Sequence, residues 1–258
     1  MERIGEESGK HSRPRANRRI SVGLAVTEPE RRAAQRLRWR VFAEEMGARL
    51  SSPEQGIDSD PFDPFCDHLV VRDDATGEIV GTYRLLAPSS VEHLGCSYAE
   101  SEFDIGRLAD VRGSMVEAGR ACIHPDYRSG AVLALLWSGI ARYMMMGEFR
   151  YLAGCASVSM ADGGHMAASV FRGASATHLA PEEFRVFPRC RLPLERLEAS
   201  AGAAMPPLLR AYLRGGAYIA GEPAWDPDFN CADFFVFLPL ARLQSRLARH
   251  FLGRGAIN

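Results

Sequence analysis

The chain has 258 residues, 47% of them hydrophobic and 24% charged, with a formal net charge of −1. That apolar content excludes disorder over the whole chain and suits one large domain or two small ones. No run of about 18 apolar residues occurs, so no membrane-spanning helix is expected. The near-neutral balance argues against a globally basic nucleic-acid binder.

Residues 1–19 form a polar tail, acidic first and then basic, expected to be disordered; its charge also suits contact with anionic lipid or an acidic protein. Residues 20–258 form the folded domain. Residues 20–26 read as a strand. Thr27 follows as an N-cap, with Glu28, Pro29 and Glu30 in the first turn of a helix that runs to about Met46 and stops at Gly47. Residues 48–66 are a loop rich in Pro, Asp and Ser. Residues 68–71 and 79–86 read as strands joined by the hairpin turn at 73–77. A weakly patterned excursion covers 87–114. Residues 115–123 read as a strand, 124–130 as a turn, 131–146 as an apolar helix and 151–157 as a buried strand. Residues 163–232, rich in Gly and Pro, carry little pattern. A last strand is expected at 234–238 and an amphipathic helix at 240–254. Strand, helix and strand alternate through the middle, which indicates a mixed α/β core.

The six cysteines are scattered, without a C-x-x-C pair or a Cys/His cluster at zinc spacing, so no metal is expected. They read as single thiols of a reducing compartment, and no secretory signal is visible, which places the protein in a cytoplasm.

Four features carry chemistry. Arg38 and Phe42 lie four apart on one helix face and can act together. Asp58, Asp60 and Asp63 crowd one loop; they can bind an ammonium group or clamp arginines such as Arg38 and Arg84. Glu117 and Arg120 enter a buried strand, where ionisable groups are costly unless paired or functional. Three apart, they belong on opposite faces unless a bulge re-aims one. Finally, Arg128, Ser129, Gly130 and Ala131 open a helix whose N-terminus can hold a phosphate; a structural turn is the other reading.

The segments Leu37-Arg38-Trp39-Arg40-Val41-Phe42, Asp58-Ser59-Asp60-Pro61-Phe62-Asp63, Gly81-Thr82-Tyr83-Arg84-Leu85-Leu86 and Glu117-Ala118-Gly119-Arg120 occur in this order. In order and spacing they resemble acyl-homoserine-lactone synthases. With Asp63-Pro64-Phe65-Cys66-Asp67-His68-Leu69, Tyr151-Leu152-Ala153-Gly154-Cys155-Ala156-Ser157 and Asp226-Pro227-Asp228-Phe229-Asn230 included, the chain resembles bacterial ornithine N-alpha-acyltransferases more closely, over about residues 20–252. The resemblance implies an α/β fold like the Gcn5-related N-acetyltransferases (GNAT), with a splayed mixed central sheet and an elaborated C-terminal half. It implies no bound cofactor, an acyl-carrier-protein thioester as donor, a 3-hydroxy fatty acyl group, and the alpha-amino group of ornithine as acceptor. Other acceptors (glutamine, lysine, glycine), a signal-lactone synthase and a non-catalytic carrier-binding protein stand as alternatives.

The phosphate turn departs from the coenzyme A pattern, because the glycine after Arg128 comes one residue early. A single phosphodiester on a carrier protein fits such a reduced loop. Glu117 is then expected to act as base, with Arg120 orienting it or the substrate, and with Arg38, Phe42, Asp58, Asp60, Asp63 and Arg84 around the substrate. The backbone N–H groups of Ala121 and Cys122 are candidates for the oxyanion. An acyl-enzyme on Cys122 with His124 is a minor rival. The arginines at 242, 246, 249 and 254 give the closing helix a basic side, suited to packing on the core, to peripheral membrane contact or to an acidic carrier protein.

Overall fold

The computed structural model describes residues 19–128, 130–200 and 202–243. The 1–19 tail thus lies outside the described residues except for Arg19, and so does nearly all of the expected 240–254 helix, of which Leu240–Arg242 forms a single 3-10 turn.

In chain order the elements are β1 (Ile20–Leu24), α1 (Glu28–Trp39), β2 (Asp67–Asp73), β3 (Ile79–Leu86), α2 (Pro88–Leu94), β4 (Phe103–Asp104), β5 (Met115–Ile123), α3 (Ala131–Met146), β6 (Tyr151–Ser159), α4 (His165–His178), β7 (Phe187–Pro188), α5 (Pro207–Arg214), β8 (Tyr218–Ile219), β9 (Ala224–Asp226) and β10 (Cys231–Pro239). The main sheet runs β1-β2-β3-β5-β6-β10-β8, with β9 also on β10. Its neighbours are antiparallel except β5 and β6, which are parallel.

Local chemistry explains the frame. Thr27 caps α1 with a reciprocal box: its hydroxyl accepts from the Glu30 N–H and the Glu30 carboxylate accepts from the Thr27 N–H. The expected single helix to Met46 changes pitch instead, and Arg40–Glu45 is π-helical. Such one-turn widenings gather at functional sites, and this one carries Phe42. Alternation on β2 assigns its two faces. Val70 packs under Ala34 and Leu37 of α1, while Leu69 and Val71 meet Val132, Leu136 and Ile140 of α3. Covered on both sides, β3 is buried throughout. The excursion at 87–114 covers the β6/β10 half of the α1 face, with Phe103 and Leu108 against Phe235 and Phe237. The last strand begins three residues earlier than its apolar run, at Cys231, because the polar Asp233 is also buried there.

The sheet splays at one place. Parallel pairing of β5 with β6 covers Met115–Tyr151, Val116–Leu152 and Glu117–Ala153, then stops. Beyond it β5 leans toward β3 and β6 toward β10, and the gap is a V.

Candidate active site

A cavity of about 670 Å³ fills the V. One wall is the free half of β5, from Glu117 to Ile123. The other carries Cys155 and Ser157 of β6, Cys231 and Asp233 of β10, and Asp226 of β9. Leu133 and Leu136 of α3 and Pro206–Leu208 supply apolar lining.

Glu117 sits at the apex. One carboxylate oxygen accepts the Ala99 N–H at 2.8 Å and the other the Tyr98 N–H at 3.0 Å. Burial pushes this carboxyl up to about 7, against the pull of those N–H groups and of Arg84. The pairing of β3 with β5 skips there: Thr82 faces Cys122 but Arg84 faces Gly119, so one residue opposes two. Arg120, on the long side of this bulge, has φ 52°. The bulge therefore turns Arg120 to the face that Glu117 occupies, and both line the cavity. The Arg120 guanidinium lies between the Tyr98 and Phe229 rings, 4.9 Å from each. Its Nε is buried without a hydrogen-bond partner.

The other expected residues divide in two. Phe42, Arg84, Ala121, Cys122, Arg128 and Gly130 line the cavity. Arg38, Asp58, Asp60 and Asp63 stand behind the wall as an ion cluster. Arg38 is wholly buried, with Nε 2.7 Å from Asp58 and Nη2 2.7 Å from Asp63. Arg84 Nη1 is 2.6 Å from Asp60 and 3.0 Å from Asp63, and Arg120 reaches Asp58 and Asp60 at 3.4 Å. Of the two roles open to the aspartates, the geometry realises the clamp. Burial pushes the Asp63 carboxyl up, but Arg38 and Arg84 outweigh it and hold it below the usual carboxylate range.

At the cavity mouth, Arg128 pairs bidentately with Glu45 at 2.6 and 2.7 Å. Gly130 caps α3 with φ 84°, a left-handed conformation that favours glycine, and no acidic residue occupies the first turn starting at Ala131. Ser129 lies outside the described residues. Burial pushes the Cys122 thiol up to about 12, a poor state for a nucleophile, and His124 Nδ1 accepts the Asp126 N–H. The Cys122–His124 rival gains nothing from this geometry. Among the described residues no helix is long and apolar enough to cross a membrane.

Two contacts join the arms across the cavity. Phe42 meets Phe229 edge to face at 5.7 Å, and Arg49 bonds Asp228 through its backbone N–H at 2.8 Å and its guanidinium at 3.1 Å. Sequence reasoning missed Tyr98 and Phe229, which flank Arg120, and three acids on the far wall, Glu102, Asp226 and Asp233.

Comparison with known proteins agrees with this geometry. Residues 37–138 match the model of the acetyltransferase (GNAT) domain. The chain is 35% identical over 254 residues to L-ornithine N(alpha)-acyltransferase of Brucella abortus (strain 2308), covering 90% of this chain and 88% of that one. It is also 35% identical to the enzyme of that name from Rhodobacter capsulatus, covering 91% and 96%. The fold is that of the acyl-homoserine-lactone synthase LasI, with a TM-score of 0.54 at 12% identity over 92% of this chain and 96% of that one. FeeM, an N-acyl amino acid synthase from uncultured soil microbes, gives 0.51 at 14% identity over 89% and 96%. With a splayed mixed sheet, a carboxylate at its apex and this identity along nine-tenths of its length, the chain is an N-acyltransferase of the GNAT fold and belongs to the family of bacterial L-ornithine N(alpha)-acyltransferases.

Proposed function

We propose that this chain transfers a fatty acyl group, 3-hydroxylated at its head, from the phosphopantetheine thioester of acyl-carrier protein to the alpha-amino group of ornithine. The product is lyso-ornithine lipid, the first intermediate of ornithine-lipid synthesis. The observation that carries the reading is Glu117: a buried carboxyl raised to about 7, at the apex of an acyl-sized cavity that Arg120 also lines.

The chemistry follows from those two groups. An amine attacks only when neutral, and an alpha-ammonium is mostly protonated near pH 7. Glu117 takes that proton, directly or through one water, and its raised affinity suits transfer at neutral pH. Arg120, whose guanidinium lines the cavity between the Tyr98 and Phe229 rings, holds the amino acid's alpha-carboxylate and so aims the amine. The nitrogen adds to the thioester carbonyl carbon. The oxyanion is met by the backbone N–H groups of Ala121, which the bulge leaves out of the pairing with β3, and of Cys122 next to it. Collapse breaks the C–S bond and forms the amide, and the second proton of the attacking nitrogen passes to the departing sulfur, which leaves as the pantetheine thiol. Phe42 and Arg84 shape the acceptor end. The cluster of Arg38, Asp58, Asp60 and Asp63 keeps Arg84 and Arg120 in place from behind. Arg128, Ser129, Gly130 and Ala131 receive the phosphodiester. No resident cofactor takes part in these steps. The basic 240–254 segment meets the inner membrane surface, where a lipid product partitions.

The test is mass spectrometry of lipids from cells expressing the chain or its Glu117→Gln variant, with purified protein assayed on acyl-carrier and coenzyme A thioesters. An N-acylated ornithine that vanishes in the variant, and turnover on the carrier thioester, are expected. An acylated amino acid of different mass replaces the acceptor, and turnover on coenzyme A alone replaces the donor. The same product in both cell lines removes Glu117 as base.

A further inference from the structure

Charge on the two walls is handled in opposite ways. Behind the β5 wall every aspartate has an arginine: Asp58, Asp60 and Asp63 are shared among Arg38, Arg84 and Arg120. On the far wall, Glu102, Asp226 and Asp233 form no ion pair with any Arg, Lys or His of the described residues. Their carboxylates converge nevertheless. Ligand atoms of Asp226, Cys231 and Asp233 lie within 4.8 Å of one another, and the carboxyls of Glu102 and Asp233 face each other within hydrogen-bond range.

Two observations say that the group is incomplete by itself. Asp233 is only 4% exposed and lines the cavity, yet its contacts, Ser157 Oγ at 2.6 Å, Cys231 Sγ at 3.7 Å and the Glu102 carboxyl, bring it no positive charge. Glu102 Oε2 is shut away from solvent with only the Asp233 carboxyl and the Cys155 thiol for company, so burial and the neighbouring acids push the Glu102 carboxyl up to about 9 and the pair holds a proton in place of a counter-charge. Buried acids crowded together without a counter-ion are costly. The cost is tolerated where a ligand supplies the donors, and a cation supplies compensating charge as well. Asp226 and Asp233 line the main cavity, and Asp226 also lines a smaller recess that Glu102 borders.

We infer that Glu102, Asp226 and Asp233 form the subsite that receives the distal ammonium of a diamino-acid acceptor, across the cleft from Glu117 and Arg120. The inference rests on the function proposed above and adds the origin of its side-chain selectivity. Two donors of an ammonium group satisfy Asp233 and Asp226, a third points to the Glu102–Asp233 pair, and the alpha end stays with Arg120 and Glu117. A metal ion fits the trio less well, because burial and the neighbouring acids keep the Cys231 thiol protonated.

The experiment compares ornithine with norvaline, the same amino acid without the distal ammonium, using one acyl donor. The readouts are kcat/KM for each acceptor and calorimetric binding of each amino acid, for the wild-type chain, Asp233→Asn and Glu102→Gln. We expect the wild type to prefer ornithine by 100-fold or more. Either substitution should reduce that ratio to below tenfold, chiefly by raising the KM for ornithine. A ratio that stays intact while both acceptors decline in parallel gives the acids a structural role and overturns the subsite, leaving the proposed function standing. Wild-type protein that binds neither amino acid overturns both. Acylation of norvaline as efficient as that of ornithine by the wild type overturns the subsite alone.

Discussion

Arg120 has a left-handed backbone, φ 52°, and through it shares a cavity wall with Glu117, three residues earlier in the same strand. In a regular strand the two side chains would point to opposite faces. The bulge puts a carboxylate and a guanidinium on one cavity wall where the sheet opens, the two charges an amino-acid acceptor needs at its alpha carbon.

The pH profile should report this arrangement. With Glu117 raised to about 7, kcat/KM is expected to rise with pH through that value, as the base loses its proton. Glu117→Gln should lower kcat by about 10²–10³-fold and remove that limb. Stability should move the other way. This carboxyl ionises near 4.5 in the unfolded chain and near 7 when folded, so its contribution is complete below 4.5 and is lost as pH rises through 7. Melting temperatures of wild type and variant, compared from pH 4 to 8.5, should diverge in the variant's favour at the alkaline end. A constant difference would remove the raised carboxyl.

Arg38 is expected to be indispensable for folding. Replacing it by alanine removes the closest partner of both buried Asp58 and buried Asp63, leaving Arg120 at 3.4 Å and Arg84 at 3.0 Å to compensate them in part, at a cost of about 3–5 kcal/mol. Lysine should rescue little, since a single ammonium cannot serve two carboxylates as the planar fork does. Urea unfolding measures both. The lowered Asp63 carboxyl adds an acid limb: its stabilisation holds above the normal carboxylate range and disappears as pH falls through the depressed value.

Gly154 should tolerate no side chain. A Cβ there would lie 2.1 Å from the Ala118 carbonyl oxygen, just past the last β5–β6 pair. Gly154→Ala must push the arms apart at the apex, at an expected cost of about 1–3 kcal/mol. Acyl transfer should fall further than stability does, because the displaced strand carries Glu117. Thermal melting and kcat, measured together, test this; unchanged kcat in a destabilised protein would separate the apex from catalysis.

Arg128 should govern the donor. Arg128→Ala is expected to raise the KM for the carrier thioester about tenfold with kcat little changed. Glu45→Gln, which releases Arg128 from its bidentate pair, should lower that KM at low ionic strength, and added salt should erase the gain. Steady-state kinetics at two salt concentrations read both effects; a KM indifferent to either change would place the phosphate elsewhere.

Periodicity made the frame legible. The apolar run of 131–146 is α3, Thr27 and Glu30 announce α1, and the turn at 73–77 sets the β2–β3 hairpin. The shared face of Glu117 and Arg120 was readable as a conflict: two ionisable groups in a buried strand, wrongly spaced unless the strand bulges. The role of Asp58, Asp60 and Asp63 was not, because it depends on Arg38 being buried instead of facing the cleft. The acids of the far wall left no local signal. Glu102 comes from a weakly patterned excursion, Asp226 from the end of the short strand β9 and Asp233 from within an apolar strand; only the third dimension brings them together. The π-helical stretch at Arg40–Glu45 is likewise invisible to helical spacing, which continues through it.

The bridges between Phe42 and Phe229, and between Arg49 and Asp228, make the cleft a roofed passage in place of an open slot. A tethered acyl chain has to thread such a passage end-on, and a single-tailed product has to be drawn out along the same axis or wait for the roof to lift. Each added methylene lengthens the greasy contact to be undone on the way out. The roof thereby ties the pace of turnover to the length of the tail.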